Sequence, residues 1–295
     1  MDRRTFALGS GALLLSACAT PPASAMDWSG KLAAIEKAAG GRLGVQVLDT
    51  ASGRGFGWRA DERFCHCSTF KLSLAAMLLR EGDAGRIDVN EVIPYSRADL
   101  MAVSPVTEAS VDKGGLPAIV LAEATQITSD NAAANLLLRR LGGPAALTAF
   151  WRDLGDGVSR IDGYEPEINV IPPGTTENST SPAAMARTLQ RLAVGDALSP
   201  ASRERLLDWM GRTRTGLKRI AAGLPAGWRS FDKTGTGMRE GIGNKVNDIA
   251  VVVPPGRAPI IVTGYYENPV YSADTRPGDE AVLRQVAEVV VQWAQ

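Results

Sequence analysis

The chain has a single histidine in 295 residues and only three cysteines. A zinc hydrolase built on several histidines is therefore excluded, and a serine-histidine-aspartate triad would have to draw on His66, two residues before the serine it must serve. Basic and acidic residues balance at 32 each and no run of like charges occurs, so the electrostatic footprint of a nucleic-acid or anionic-membrane partner is missing. Aromatics are sparse, but 45% of the residues are hydrophobic, enough to bury a core in one large or two interleaved domains. After the first 25 residues no apolar run is long enough to span a bilayer.

Those first residues, 1–25, read as an export signal: Arg3-Arg4, an apolar run from Ala7 to Leu15, then small residues. The twin arginines point to the twin-arginine route. Two processing sites compete. Leu15-Ser16-Ala17-Cys18 resembles a bacterial lipobox and would leave a lipid anchor at Cys18, whereas Ala23-Ser24-Ala25 resembles an ordinary cleavage site and would release a soluble periplasmic or secreted chain. The mature chain then carries one net negative charge. Of the other two cysteines, Cys65 and Cys67 flank His66, but one tripeptide cannot supply three or four ligands in tetrahedral array, so no metal is expected. A disulfide between residues two apart is strained, so both thiols are expected to be free and buried.

Along the chain, a helix is predicted through Leu32 to Ala39. Gly44 to Thr50 alternates like a strand, Ala51 to Gly55 supplies a turn, and Phe56 to Ala60 returns. From Ser68 to Gly211 the pattern is helical, punctuated by glycine and proline. Ser181-Pro182 and Ser199-Pro200 each pair an N-cap serine with proline at the first helical position, and Gly142-Gly143-Pro144 ends one helix and begins another. Strands return at Trp228 to Thr236, Val246 to Val253 and Ile260 to Tyr266, and a last helix runs from Asp279 to Trp293. Strands at both ends with helices between predict an α/β domain from residues 26–62 and 212–295, with an all-α domain, 63–211, inserted. Gly155 to Thr180 lacks periodicity, and a loop of that length in a compact domain is usually functional or disordered.

Ser-x-x-Lys occurs three times, at Ser68/Lys71, Ser110/Lys113 and Ser230/Lys233. Ser110 runs into a glycine turn, and Ser230 to Lys233 reads as a strand, where residues three apart face opposite ways. Only Ser68/Lys71 opens a long apolar helix, which puts both side chains on one face and places the serine at the helix N-terminus, whose free N–H groups favour a developing oxyanion. A lysine kept from water there can act as a base, although a cap followed by a solvated lysine would look the same. Ser129-Asp130-Asn131 starts a further helix, and Lys233-Thr234-Gly235-Thr236 lies on a strand. Each alone is ordinary capping or an ordinary strand end; the three in this order behind an export signal are not.

With these motifs in place the chain resembles a class A serine β-lactamase over its whole mature length. Glu165-Pro166-Glu167-Ile168-Asn169, inside the irregular segment, is similar to that family's omega loop, about 160–180 here. The resemblance implies a two-domain β-lactamase-like fold with an antiparallel sheet flanked by helices. It implies a monomeric, cofactor-free enzyme that hydrolyses penicillins and cephalosporins through a serine acyl-enzyme and so confers antibiotic resistance. Ser68 would attack the lactam carbonyl, and the backbone N–H groups of Ser68 and Thr236 would form the oxyanion hole. Lys71, or Glu165 through a water, would take the serine proton; the family leaves that choice open. Ser129 would pass a proton to the lactam nitrogen, Lys233, Thr234 and Gly235 would hold the substrate carboxylate, and Asn131 the acyl amide. Glu165, with Asn169, would activate the deacylating water. The Glu165-Pro166 bond is expected to be cis, as is typical of the family.

Several positions depart from the family pattern. The omega-loop ion pair of many relatives is replaced at both ends, by Gly163 and Asn178, which predicts a looser loop without a stranded charge. Val103 stands where an aromatic residue commonly lines the cleft. The arginine that many members carry on the strand after Lys-Thr-Gly has no match in Val246 to Val253; Arg219 occupies an alternative position, and Arg239 or Lys245 from a longer hairpin are rivals for its role. Gly237 stands where some carbapenem-hydrolysing relatives have a cysteine that pairs with the one before the nucleophile, so Cys67 has no such partner; this is neutral for carbapenem turnover. A penicillin-binding D,D-peptidase would lack Glu165, a β-lactam receptor would lack a deacylating carboxylate and usually adjoins a membrane span, and a plain structural domain would need all four motifs by coincidence.

Overall fold

The computed structural model describes residues 26–169 and 171–295; the twin arginines, Cys18 and the cleavage site at Ala25 lie outside the described residues. In chain order the elements are α1 (Trp28–Ala39), β1 (Arg42–Asp49), β2 (Gly55–Trp58), β3 (Phe64–Cys65), α2 (Phe70–Asp83), β4 (Val92–Pro94), α3 (Pro105–Ala109), β5 (Gly115–Pro117), α4 (Ala118–Ile127), α5 (Asn131–Arg140), α6 (Gly143–Asp153), β6 (Ser179–Thr180), α7 (Pro182–Ala193), α8 (Pro200–Gly211), β7 (Arg229–Arg239), β8 (Gly243–Val253), β9 (Ile260–Asn268) and α9 (Pro277–Ala294).

Five strands form one antiparallel sheet in the order β2-β1-β9-β8-β7, so its two halves come from opposite ends of the chain. Side chains alternate across each strand. On β8, Val246, Ala250 and Val252 join Leu32, Leu283 and Val286 in a core beneath α1 and α9. Ile249 and Val251 point the other way, into a larger core shared with α2, α5 and α7. Burial on both faces explains why β8 and β9 read as near-continuous apolar runs rather than as an alternation.

Helix α2 runs through the second core and is buried on every side from Phe70 to Leu79. Such a helix carries apolar residues all round. Each buried leucine contributes about 2 kcal/mol of transfer free energy, and truncating Leu74 to alanine would cost about 2–5 kcal/mol with its cavity. Two polar side chains interrupt this helix without contact to solvent, both at 0% exposure: Ser73, which accepts from Trp151 Nε1 at 2.9 Å, and Lys71. Lys71 sits on the first turn, facing Ser129 and Glu165.

The capping predictions hold. Ser181 and Ser199 accept from the backbone of Ala184 and Ser202, each with proline in the first turn. Strand β7 is a sheet edge, packed against α8 and the turn that leads into α2. Its edge-facing carbonyl at Asp232 accepts from Gln126 Nε2 at 2.9 Å and Thr213 Oγ1 at 2.8 Å, which closes that stretch of edge and fixes β7 against α4.

Candidate active site

A short 3-10 turn, Cys67–Thr69, leads into α2 and carries Ser68. Cys67 has φ 44°, a left-handed value rare for a side chain of this kind, and it turns the chain so that Ser68 faces the cleft. Ser68 Oγ lies 3.0 Å from Lys71 Nζ and 3.2 Å from Glu165 Oε1. Lys71 Nζ also reaches Glu165 Oε1 at 2.9 Å, Ser129 O at 2.9 Å, Ser129 Oγ at 3.4 Å and Asn131 Oδ1 at 2.5 Å. Five oxygens around one nitrogen give a proton there several neighbouring acceptors.

Ser129 forms the opposite wall, again with positive φ, 60°. Asp130 holds it there. One carboxylate oxygen caps α5 through Ala133 N at 2.9 Å, and the other accepts from the backbones of Val106 and Thr107 at 3.0 Å, tying the α3 segment to α5. Lys233, fully buried on β7, donates to Ser129 Oγ at 3.1 Å and to Thr234 O at 2.8 Å. Burial, reinforced by the neighbouring charge of Lys71, pushes the Lys233 ammonium well below the usual lysine range. The other two Ser-x-x-Lys matches fall away: Lys113 is exposed on a single 3-10 turn, and Ser230 bonds Asp232 on β7.

The Glu165-Pro166 bond is cis, as expected. Asn169 Nδ2 donates to Glu165 Oε2, the carboxylate oxygen turned away from Ser68. The loop's neck carries no Arg-Asp pair at positions 163 and 178, yet it is not left untied. Asp162 N donates to Asn178 Oδ1 at 2.7 Å, Asn178 N donates to Asp162 Oδ2 at 2.9 Å, and Arg160 pairs with Asp162. Hydrogen bonds between side chain and main chain stand in for the missing ion pair.

The cleft between β7 and the helices has a volume of about 170 Å³ and is lined by Ser68, Val103, Ser129, Asn131, Asn169, Thr215, Thr234 and Thr236. Larger depressions exist, one of about 640 Å³ beside Arg152 and Tyr164, but they bring no nucleophile and base together. Val103 is 62% exposed on the rim, an aliphatic edge where a ring would give a flat wall. Gly235 lies behind the lining: a Cβ there would come within 2.8 Å of His66 O, so glycine lets β7 approach the Ser68 turn closely.

Arg219 is neither a surface arginine nor part of the cleft lining. It is 4% exposed, and its guanidinium donates to Thr236 Oγ1 at 2.8 Å, Asn247 O at 2.8 Å and Gly235 O at 3.1 Å, with Glu280 at 3.4 Å. It braces Thr236 from behind. Its rivals are not in the cleft either: Arg239 is exposed at the end of β7, and Lys245 is buried on β8 behind Gly237. Near Arg219 burial raises the Asp232 carboxyl to about 6 and pushes Asp248 well above the carboxylate range, with Lys233 and Arg219 opposing both shifts.

A profile described as the β-lactamase enzyme family matches residues 28–294, almost the entire described chain. The chain belongs to the class A β-lactamase family. It is 44% identical to β-lactamase L2 of Stenotrophomonas maltophilia over 93% of this chain and 88% of that one. It is 41% identical to β-lactamase CTX-M-8 of Citrobacter amalonaticus over 91% and 89%. Among solved structures, an ancestral class A β-lactamase superimposes with a TM-score of 0.86 at 52% identity, covering 90% of this chain and 100% of that one. A β-lactamase from Burkholderia vietnamiensis gives 0.86 at 46%, over 93% and 98%.

Two members of this β-lactamase's site were not legible in the sequence. Asn135, one turn into α5, bonds Glu165 through both its amide atoms. Thr215 lines the cleft with its hydroxyl 2.6 Å from Thr234 Oγ1. Neither belongs to a short motif; a polar asparagine inside the otherwise apolar run 132–138 of α5 was the one signal available for the first.

Proposed function

We propose that this serine β-lactamase works by acyl transfer from the lactam to Ser68 and then to water, with the roles that follow. The observation that carries the assignment is Ser68 Oγ lying within 3.2 Å of two buried groups, Lys71 and Glu165, that can take its proton. Ser68 Oγ attacks the lactam carbonyl as its proton passes to Lys71 Nζ or Glu165. The oxyanion is met by the backbone N–H groups of Ser68 and Thr236, and losing one such donor typically costs about 10²–10³ in rate. The C–N bond breaks as Ser129 hands its proton to the ring nitrogen; Lys71 and Lys233 both touch Ser129 and can replenish it.

Lys233, Thr234 and Thr236 receive the substrate carboxylate, with Thr215 and Arg219 steadying the two threonine hydroxyls. Asn131 and Asn169 flank the acyl side chain, and Val103 offers it an aliphatic rim. Glu165 then takes a proton from a water that attacks the ester carbonyl, and Ser68 leaves as the alcohol. What supports Glu165 as that base is its orientation by Asn169 on one side and Asn135 on the other.

Class A β-lactamases are generally exported, and residues 1–25 suit that purpose; our reading adds the twin-arginine route and either a lipid anchor at Cys18 or cleavage after Ala25. It keeps the partition into an α/β part, 26–62 and 212–295, and a helical part, 63–211, with the cleft at their seam, and it keeps the mature enzyme a monomer. Replacing Ser68 by alanine tests the assignment: benzylpenicillin hydrolysis should vanish while binding survives. Hydrolysis at the parental rate would overturn it.

A further inference from the structure

Two thiols sit directly behind the nucleophile, and the catalytic roles above use neither. Cys65 ends β3 and Cys67 opens the turn that carries Ser68; both are buried, and their sulfurs are 3.7 Å apart. They lie on the same side of the chain, facing each other across the backbone of His66. Cys65 Sγ also donates to Ile168 O at 3.3 Å. Ile168 occupies the 3-10 turn Glu167–Asn169 of the omega loop, beside the asparagine that orients Glu165. The space around Cys67 is tight: a Cβ built at Gly237 would come within 3.0 Å of its sulfur. One thiol therefore touches the loop that carries Glu165, the other is joined by a peptide bond to Ser68, and the two touch each other.

We propose that Cys65 and Cys67 are a peroxide-responsive dithiol site, whose oxidation to a disulfide slows deacylation by withdrawing the Cys65 donor from Ile168 and shifting the Ser68 turn. The chemistry balances with hydrogen peroxide as oxidant. The Cys65 thiolate attacks peroxide, an S–O bond forms, the O–O bond breaks and hydroxide leaves. Cys67 sulfur then attacks the Cys65 sulfenic acid, the S–S bond forms, and the Cys67 proton and the departing oxygen leave as water. Overall, two thiols and one peroxide give one disulfide and two waters. Cys65 is suited to the first step. Burial raises its pKa, but the hydrogen bond from Cys67 and the positive charge of Lys245 outweigh burial and leave it below the usual thiol value, whereas burial holds Cys67 well above the thiol range. A ring closed between residues two apart is strained, and strained disulfides are the readily reduced ones, so a thiol reductant reverses the change.

The slowing of deacylation rests on the role given to Glu165; formation of the disulfide does not. The experiment treats the mature enzyme with hydrogen peroxide, then follows benzylpenicillin turnover and acyl-enzyme by intact mass, with a parallel sample denatured and alkylated with maleimide. Expected are a chain lighter by two hydrogens that takes up no maleimide, accumulated acyl-enzyme, turnover slowed roughly 10- to 100-fold, and recovery with dithiothreitol. A Cys65→Ser variant keeps a donor for Ile168, and its turnover, whatever its starting level, should not change on treatment. Two maleimides still taken up after peroxide, a disulfide formed without change in deacylation, or equal loss in Cys65→Ser would each overturn the proposal. Failure of Glu165→Ala to trap acyl-enzyme without peroxide would count against the Glu165 role instead.

Discussion

Asn135 and Glu165, 30 residues apart, hold each other by two hydrogen bonds of 2.9 Å, from Asn135 Nδ2 to Glu165 O and from Glu165 N to Asn135 Oδ1. A rigid helix thus grips the main chain of a loop residue, so the position of the carboxylate is set by α5 as much as by the loop. Asn135→Ala leaves a buried N–H and C=O without partners, which costs about 1–3 kcal/mol each. The expected result is a lower melting temperature together with a deacylation rate reduced at least ~10-fold, seen as acyl-enzyme accumulating during turnover. A parental deacylation rate would detach Asn135 from the chemistry.

Arg219 gives a prediction of a different kind, because in the proposed roles it would act on substrate binding through Thr236. Arg219→Ala removes the brace on Thr236 Oγ1 and leaves Glu280 without its ion pair. The Michaelis constant for benzylpenicillin should rise by roughly 10-fold, equivalent to about 1.4 kcal/mol, with a smaller change in kcat. An unchanged Michaelis constant would make the arginine purely structural.

Histidine 66 sets an acid limit on stability. It lies stacked on Trp151 at 4.9 Å, and burial lowers its pKa from 6.5 to about 4, with Asp156 opposing the shift. The unfolded chain therefore binds a proton between pH 6.5 and 4 that the folded chain refuses, so stability is full above about 6.5 and falls as the pH drops toward 4, by on the order of 3 kcal/mol from this group. Melting temperature measured across that window should fall less steeply in His66→Phe, which keeps the stacking without the proton. Identical slopes would remove His66 as the cause.

The omega-loop neck provides a further test. Asn178 has φ 46°, so Asn178→Gly keeps the backbone comfortable while deleting the side chain that accepts from Asp162 N. Amide exchange across residues 163–177 should quicken, and hydrolysis should slow in parallel. Exchange as slow as in the parent would show that the reciprocal hydrogen bonds do not secure the loop.

What the sequence disclosed and what it concealed divide along chain distance. Ser68/Lys71, Ser129-Asp130-Asn131, Lys233 to Thr236 and Glu165/Asn169 are each local, with a spacing that already fixes which side chains share a face or a turn. The long helices and the sheet strands were legible for the same reason. Asn135, Thr215 and the bracing role of Arg219 act across 17 to 30 residues or between strand and loop, and no period marks them. At the loop neck the lost ion pair could be read from Gly163 and Asn178, but its replacement could not, because it depends on where two backbone N–H groups point. Strands β3 and β6, two residues each, are too short to carry any pattern.

The account stands most directly on the division of labour between Ser68 and Glu165. Intact-protein mass spectrometry of the mature enzyme mixed with benzylpenicillin, sampled over time beside Glu165→Ala and with the adduct located by peptide mapping, measures it. The account predicts product accumulating with a transient or invisible adduct in the parent, and a persistent adduct on Ser68 in the variant. An adduct that persists in the parent, one that maps to another residue, or a variant that turns over without trapping would contradict it.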